Sequence, residues 1–541
     1  MSRRPRLLRG FVALAAAGAL LLAGCASGNS GGGSATETAS GDSSAIITTN
    51  GNEPQNPLIT YATTEVGGGK ILTAMYAGLV SYDANGEYQN EMAESIESDD
   101  ATNWTIKIKP DWTFTNGETI TAQTYVDTWK HAAQDPSGAY WFGNFEGATE
   151  DGSGELTGIE AVDDTTFTVT LKEPEADFPI RLGYTAYMPL PSVAFDDLEA
   201  FGENPIGNGP YMPDGEGAWR HDEGMTLVTN PDYSGNRTPV NGGVEFIFYT
   251  GLDAAYADAQ GGNLDVLDTV PDTAFSTFET DFPDRNVNQP AAIYQGINIP
   301  FYIDHFKNDE EGKLRREAIS LSINRQEITD TIFQGTRSPA HDFTSPVVEG
   351  YDENLEGNDV LNYDPEKAKE LWAQADEISP YEGTFTIAYN ADGGHQAWVD
   401  ATANSIANTL GISAEGKSYP TFAAALEDRD AQKLDGATRA GWQGDYPSQG
   451  NFLSGQYQTG ASSNYEGYSN PDFDKKVQEA LSASTPEEAT QLYTEAQQIL
   501  LEDLPSIPLW YANAVGVWGE TIGNVTFGWD SVPLYHEITK G

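Results

Sequence analysis

Trp104-Thr105-Ile106-Lys107-Ile108 alternates apolar and polar side chains, and Thr166-Phe167-Thr168-Val169-Thr170-Leu171 does so again. A period of two marks a strand with one face in a core and the other in water. Between the two, residues 121–133 open on a threonine suited to capping and place Tyr125, Val126 and Trp129 on one helical face. Strand, helix and strand in close succession predict an α/β body rather than a helical bundle or a β-sandwich.

The same alternation continues outward. Ala45-Ile46-Ile47-Thr48-Thr49 predicts a first strand and residues 244–249 a later one. Residues 69–80 carry Ile71, Leu72, Met75 and Leu79 at helical spacing. Further helices are expected over 254–260, 365–375, 471–481 and 489–501, and one long helix over 314–333, closed by Gly335. Tyr82-Asp83-Ala84-Asn85-Gly86 forms a turn, and residues 205–211 a Gly/Pro-rich loop. No internal repeat interrupts the series.

Composition narrows the function. The 541 residues include 28 basic and 82 acidic side chains, a net charge of −54 that opposes binding to a phosphate backbone. With 39% hydrophobic and 11% aromatic residues, the chain has the material for a large core and more than one lobe, unlike an acidic disordered tail. A single cysteine allows neither an internal disulfide nor a cysteine-built metal centre.

That cysteine sits in a telling place. Arg3, Arg4, Arg6 and Arg9 precede an apolar run over 11–22, too short to span a bilayer but suited to an export signal. Leu22-Ala23-Gly24-Cys25 follows and resembles the lipobox of bacterial lipoproteins. The resemblance implies a signal peptide over 1–24 and a lipid on Cys25. An ordinary export signal with a chance cysteine is the plainer alternative. Residues 26–44 are almost wholly Gly, Ser, Thr, Ala and Asn, apart from Glu37 and Asp42. That composition reads as a flexible tether with a reach of about 25 Å.

Signatures of catalysis are scarce. His131, His221, His305, His341, His395 and His536 are scattered, without the spacing of a helical metal face. Gly28-Asn29-Ser30-Gly31-Gly32 matches a nucleophile-elbow pattern but lies in the tether, without its strand and helix. Gly207-Asn208-Gly209 lacks the third glycine of a dinucleotide loop. Asp83-Ala84-Asn85-Gly86-Glu87 lacks the later ligands of a calcium loop and reads as a turn. No metal or organic cofactor is expected.

Several phrases resemble those of the large extracytoplasmic solute-binding proteins of ABC importers, in the peptide-binding family (family 5). They are Met75-Tyr76-Ala77-Gly78-Leu79-Val80-Ser81-Tyr82-Asp83, Trp112-Thr113-Phe114-Thr115-Asn116-Gly117-Glu118, Val162-Asp163-Asp164-Thr165-Thr166-Phe167, and Pro205-Ile206-Gly207-Asn208-Gly209-Pro210-Tyr211. Asn230-Pro231-Asp232-Tyr233 and Arg315-Arg316-Glu317-Ala318-Ile319-Ser320-Leu321-Ser322-Ile323-Asn324-Arg325 complete an ordered set across nearly all of 45–541. The resemblance is greatest to the family's oligopeptide-binding members. It implies a periplasmic-binding-protein-like two-lobe fold (type II, cluster C) with an extra α/β segment on the N-terminal lobe. Lobe I would comprise 45–82, 190–290 and 509–541, the extra segment 83–189, and lobe II 291–508. No bond would be made or broken. The protein would be a monomer held to the outer face of the plasma membrane by its lipid, delivering peptides to a permease with a separate ATPase.

The segment Arg439-Ala440-Gly441-Trp442-Gln443-Gly444-Asp445-Tyr446 carries the ligand assignment. The resemblance implies that Asp445 pairs with a peptide's α-ammonium group, that Gly441, Trp442 and Gln443 lie beside the peptide as a strand, and that Arg439 helps hold its carboxylate. Arg429 matches a second arginine with a one-residue slip, and His395, after Tyr389-Asn390, a histidine at the carboxylate end. Glu53 matches a glutamate near the groove, and Tyr419 is expected as a groove wall. A lysine that serves longer peptides in the family has no counterpart at Ile332 or Phe333. Read without the family, Asp445 before Tyr446-Pro447 suits a turn, the arginines suit surface ion pairs, His395 a helix start, and Trp442 and Tyr419 plain core packing.

The chemistry of an extended zwitterion fits this constellation. A receptor for many sequences recognises what peptides share: a cation, an anion and a row of amides. A buried carboxylate answers the first, arginine the second, and backbone pairing the third. A dipeptide, an oligosaccharide or a nickel complex remain as alternative ligands within the family, and a secreted acidic hydrolase as an alternative outside it.

Overall fold

The computed structural model describes residues 41–541 apart from Thr64 and Ser462. The signal peptide, Cys25 and most of the expected tether lie outside the described residues. The end of that tether is docked: Asp42 N–H donates to the Lys540 carbonyl at 2.8 Å. Asp42 also accepts from Ser44 N and Oγ at 2.9 and 2.7 Å. Composition alone reads 41–44 as coil because the partner strand, Thr539–Lys540, comes from the other end of the chain.

Among the described residues twelve strands form one sheet, in which ten set the frame. In chain order they are β1 (Ile46–Gly51), β2 (Tyr211–Pro213), β3 (Gly224–Thr229), β4 (Gly243–Phe248) and β5 (Val266–Leu267). Then come β6 (Asn286–Asn298), β7 (Thr384–Asn390), β8 (Ser413–Tyr419), β9 (Ala437–Gln443) and β10 (Ser506–Trp518). Their spatial order is β8-β7-β9-β6-β10-β5-β1-β4-β3-β2. At one end β5, β1 and β4 run parallel. At the other, β8, β7 and β9 do so. The long antiparallel strands β6 and β10 join the two ends. They pair from Asn286↔Val517 to Pro290↔Asn513, lose register, and resume at Tyr294↔Tyr511. β10 meets β5 near its end, and β6 meets β9 near its own.

The core divides in the same way. One cluster runs from Ile47 and Phe246 through Leu72 to Trp129 and Phe167. Separate clusters surround Ile297, Phe385, Trp398 and Trp510, and Phe343, Phe473 and Leu500. The opening strand–helix–strand reading is met by a small sheet of Ala93–Glu97, Asn103–Ile108, Thr166–Thr170 and Ile159–Ala161, in that order, with the helix Ala122–Ala132 packed on it. Trp129 on that helix is fully buried among the rings of Phe142, Phe145, Phe167 and Tyr187.

Two expected helices differ. The helix α1 spans Val66–Met75 and stops well before residue 80. The Asn208 side chain accepts from Ala77 N–H at 3.0 Å and donates to Ala77 O at 3.1 Å, mimicking a strand partner. Gly209 N–H takes the Met75 carbonyl at 2.7 Å, so the chain leaves the helix despite the apolar spacing of Leu79. The long helix over 314–333 is two, Glu310–Leu321 and Arg325–Thr331. Asn324 caps the second, accepting from Glu327 N–H at 3.2 Å. Arg325 turns inward and donates to the carbonyls of Pro508 (2.7 Å), Ser320 (2.9 Å) and Leu361 (2.6 Å). Three further helices bear on the site: α2 (Gln396–Leu410), α3 (Phe422–Asp430) and α4 (Gln449–Tyr457).

Candidate functional site

Strand β9 has one covered edge and one open edge. Along the first it pairs with β6 from Thr438↔Asn298 to Gln443↔Ile293. On the second, β7 meets only Ala437 and Thr438. From Arg439 to Gln443 no further strand covers that edge among the described residues. An exposed row of peptide groups is a template for an added strand.

Past the end of β9 the chain reaches Asp445. Its backbone N–H donates to Asn451 Oδ1 at 3.1 Å, and Asn451 Nδ2 donates back to the carboxylate at 3.0 Å. Asn451 Oδ1 also accepts from Trp442 Nε1 at 2.9 Å, so α4 locks the two residues together. Asp445 is half-buried and lies between two cavities. One, of about 220 Å³, is walled by Lys70, Tyr82, Tyr184, Gln443, Trp529 and Asp530. The other, of about 410 Å³, extends past Trp141, Asp177, Arg181 and Tyr446.

Desolvated acids line the first cavity. Desolvation pushes the Asp445 carboxyl up to about 6, against the opposing pull of hydrogen bonds from Asn451 and Tyr184. Desolvation also raises Asp530 to about 6, partly offset by backbone hydrogen bonds and by the Lys70 charge. Lys70 itself is paired to Asp268 at 2.5 Å. Neither Asp445 nor Asp530 has an ion pair among the described residues. Two desolvated carboxylates facing one cavity favour a cation supplied from outside.

At the other end of the open edge lies a third cavity, of about 210 Å³, walled by Asn390, Arg429, Arg439, Gly441, Trp442 and Glu466. Arg439 Nε donates to Asn390 Oδ1 at 2.8 Å, and its guanidinium lies 4.4 Å from the Phe422 ring centre. Arg429 stacks over Tyr465 at 3.4 Å and pairs with Asp430 at 2.9 Å. Stacked guanidiniums lose little freedom on meeting a planar anion. β9 and α3 thus bring the two arginines to one cavity. Both were expected at the anion end.

His395, Glu53 and Tyr419 fall elsewhere. His395 precedes α2 and accepts from Trp398 Nε1 at 3.2 Å through Nδ1; it does not wall the arginine cavity. Glu53 meets His221 Nδ1 at 2.8 Å and accepts from Asp222 N–H at 3.0 Å, and it walls none of the three cavities. Glu65 lines the Asp445 cavity instead. Tyr419, expected as a groove wall, packs with Ala388 and Leu434, and its hydroxyl donates to Asp428 at 3.0 Å. Gln443 does face the Asp445 cavity and donates to the Asp530 carbonyl at 3.2 Å.

Asp530, Glu466, Tyr184 and Asn451 escape a reading of the sequence. Asp530 and Glu466 are two of 82 acids with no local motif to mark them. The one usable signal is aromatic company, Trp529 beside Asp530 and Tyr465 beside Glu466.

A two-lobed α/β frame whose cleft gathers opposite charges at the two ends of an open strand edge defines a receptor class of protein. Residues 87–464 match the family model of bacterial extracellular solute-binding proteins, family 5. The chain belongs to that family. The periplasmic oligopeptide-binding protein of Escherichia coli (strain K12) is 27% identical over 493 residues, covering 86% of this chain and 87% of that protein. The dipeptide-binding protein of Bacillus subtilis (strain 168) is 26% identical over 476 residues, covering 84% of each. Among solved structures, the murein tripeptide binding protein of Escherichia coli superposes with a TM-score of 0.75 at 21% identity, over 92% of this chain and 98% of that one. The expected two-lobe fold class stands.

Proposed function

We propose that the protein is a lipid-anchored extracytoplasmic receptor that captures oligopeptides by lobe closure and passes them to an ABC-type permease. One observation carries this reading: the carboxylates of Asp445 and Asp530 lie at one end of the open β9 edge, and the guanidiniums of Arg439 and Arg429 at the other. An α-ammonium enters the first cavity, the carboxylate meets the arginines, and the peptide amides pair with Ala440 to Gln443. Asp445 lies six residues after Arg439, which at about 3.3 Å per residue spans roughly 20 Å and suits extended peptides of about four to six residues. A dipeptide, as bound by one of the relatives, is too short to reach both ends.

The open edge favours peptides over the family alternatives. An oligosaccharide has no amide row to pair with it, and a nickel complex has no use for paired ends. The proposed lobe boundaries at 290/291 and 508/509 fall within β6 and β10, close to their break in register. The extra segment (83–189) and lobe I (45–82, 190–290, 509–541) share one core cluster, which supports their grouping. Closure brings lobe II (291–508) onto them, and a ligand touching both sides favours the closed state.

Native mass spectrometry of the chain lacking Cys25, taken from cell-derived medium, tests the reading. Bound masses matching short peptides, lost in Asp445→Ala, are expected. A bound sugar or metal complex, or peptides retained undiminished in the variant, overturns it.

A further inference from the structure

The arginine cavity holds a group that a bare carboxylate does not call for. Glu466 is 3% exposed and shares the cavity wall with Arg429 and Arg439. Its backbone is fixed, since its carbonyl accepts from Phe301 N–H at 2.9 Å. Its carboxylate accepts from the side-chain amide of Asn298 on β6. Arg429 is near enough to favour its charge but makes its ion pair with Asp430. No ion pair of Glu466 exists among the described residues.

Asn298 adds a second acceptor. Its amide nitrogen is committed to Glu466, while its Oδ1 is buried without a hydrogen-bond partner. Asn298 lines the same cavity. A buried acid held by a single side-chain amide, with an unsatisfied oxygen beside it, is costly while no cation answers the pair. Next to a bound carboxylate the acid is worse than costly, because like charges repel. A ligand that brings a multi-donor cation resolves both problems, since an ammonium or guanidinium can donate to Glu466 and Asn298 Oδ1 together.

We infer that Glu466, with Asn298, selects peptides carrying a lysine or arginine side chain in their last two residues, the adjoining arginines taking the terminal carboxylate. This rests on the peptide-receptor reading and deepens it. Shape also favours the match, since a long flexible stem can lie along Trp442, as lysine and arginine stems do on aromatic surfaces.

The test is calorimetric titration at pH 8 with all-alanine tetra- and pentapeptides, and with the same peptides carrying one lysine, or one norleucine, at each position in turn. Lysine in either of the last two positions is expected to bind at least tenfold tighter than norleucine there. Lysine elsewhere is expected to show a smaller preference. Glu466→Gln is expected to abolish the terminal preference, with lysine and norleucine peptides then binding within about twofold of each other at those positions. Equal binding of lysine and norleucine at those positions in the unaltered protein overturns the inference, and this ranking needs no variant to fold. So does a preference that survives in a folded Glu466→Gln protein. Failure of every peptide, all-alanine included, instead overturns the receptor reading.

Discussion

Asp445 and Asn451 hold each other through a reciprocal pair of hydrogen bonds, backbone N–H to amide oxygen at 3.1 Å and amide N–H to carboxylate at 3.0 Å. The same amide oxygen receives the Trp442 indole. Asn451 therefore aims the carboxylate and fixes the last turn of the open strand. A hydrogen bond to a charged group contributes about 1.5–3 kcal/mol. Asn451→Ala should weaken peptide binding by roughly ten- to hundredfold, and Asp445→Ala by more. Titration calorimetry on both variants checks the order.

Binding should depend on pH through the acid end of the cleft. Asp445 and Asp530 titrate near 6 because burial penalises their charge. An ammonium partner favours the ionised form, so binding in the acid range releases protons. Affinity should be greatest near pH 7, fall below 6 by up to about tenfold per unit for each proton displaced, and fall again above about 8 as the peptide's α-ammonium loses its proton. For the free protein the sign is opposite. An acid whose folded pKa is raised keeps its proton longer when folded, so these two groups lower stability as pH rises from about 4 through 6. Affinity in Asp445→Asn should be weak at every pH and lose part of this slope. A slope unchanged in that variant would assign it to other groups.

The proposed closure would engage its own contact. Asp177, in the proposed extra segment, accepts from Ser448 Oγ and from the Tyr493 hydroxyl, the latter at 3.1 Å. Beside it the Ala176 N–H donates to the Leu481 carbonyl at 2.7 Å. Tyr493→Phe removes one of these bonds across the cleft. It should speed peptide release several-fold with little change in the association rate, as stopped-flow fluorescence of the cleft tryptophans would read.

Arg325 should matter for stability rather than for ligand. Its guanidinium is buried and ties the carbonyls of Ser320, Leu361 and Pro508, distant in the chain, to one point. Arg325→Leu leaves those carbonyls without their donor and should cost about 3 kcal/mol or more. Denaturant unfolding measures this, and peptide affinity in the fraction that remains folded should be unchanged.

Legibility in the sequence followed the range of the interactions. The strands at Asn103–Ile108 and Thr166–Thr170 bury alternate residues, a local property that the amino-acid pattern states directly. The early end of α1 and the break before Arg325 are set by Asn208 and by the Pro508 carbonyl, far along the chain, and apolar spacing misses both. The site divides in the same way. Asp445 and Arg439 share one Gly/Trp-containing segment that the family resemblance marks. Asp530 and Glu466 reach it from other parts of the fold and look like any other acid in a chain that has 82. Tyr419 shows the converse, an aromatic in the right stretch whose ring is taken up by the core.

The bond from Asp42 to Lys540 makes the two ends of the folded body a single mooring point on its first lobe. With Cys25 as the proposed anchor, the leash pulls at that one place. Attachment there would leave the proposed lobe II free to swing. A permease would then read the cargo from the distance between that moored half and the moving one.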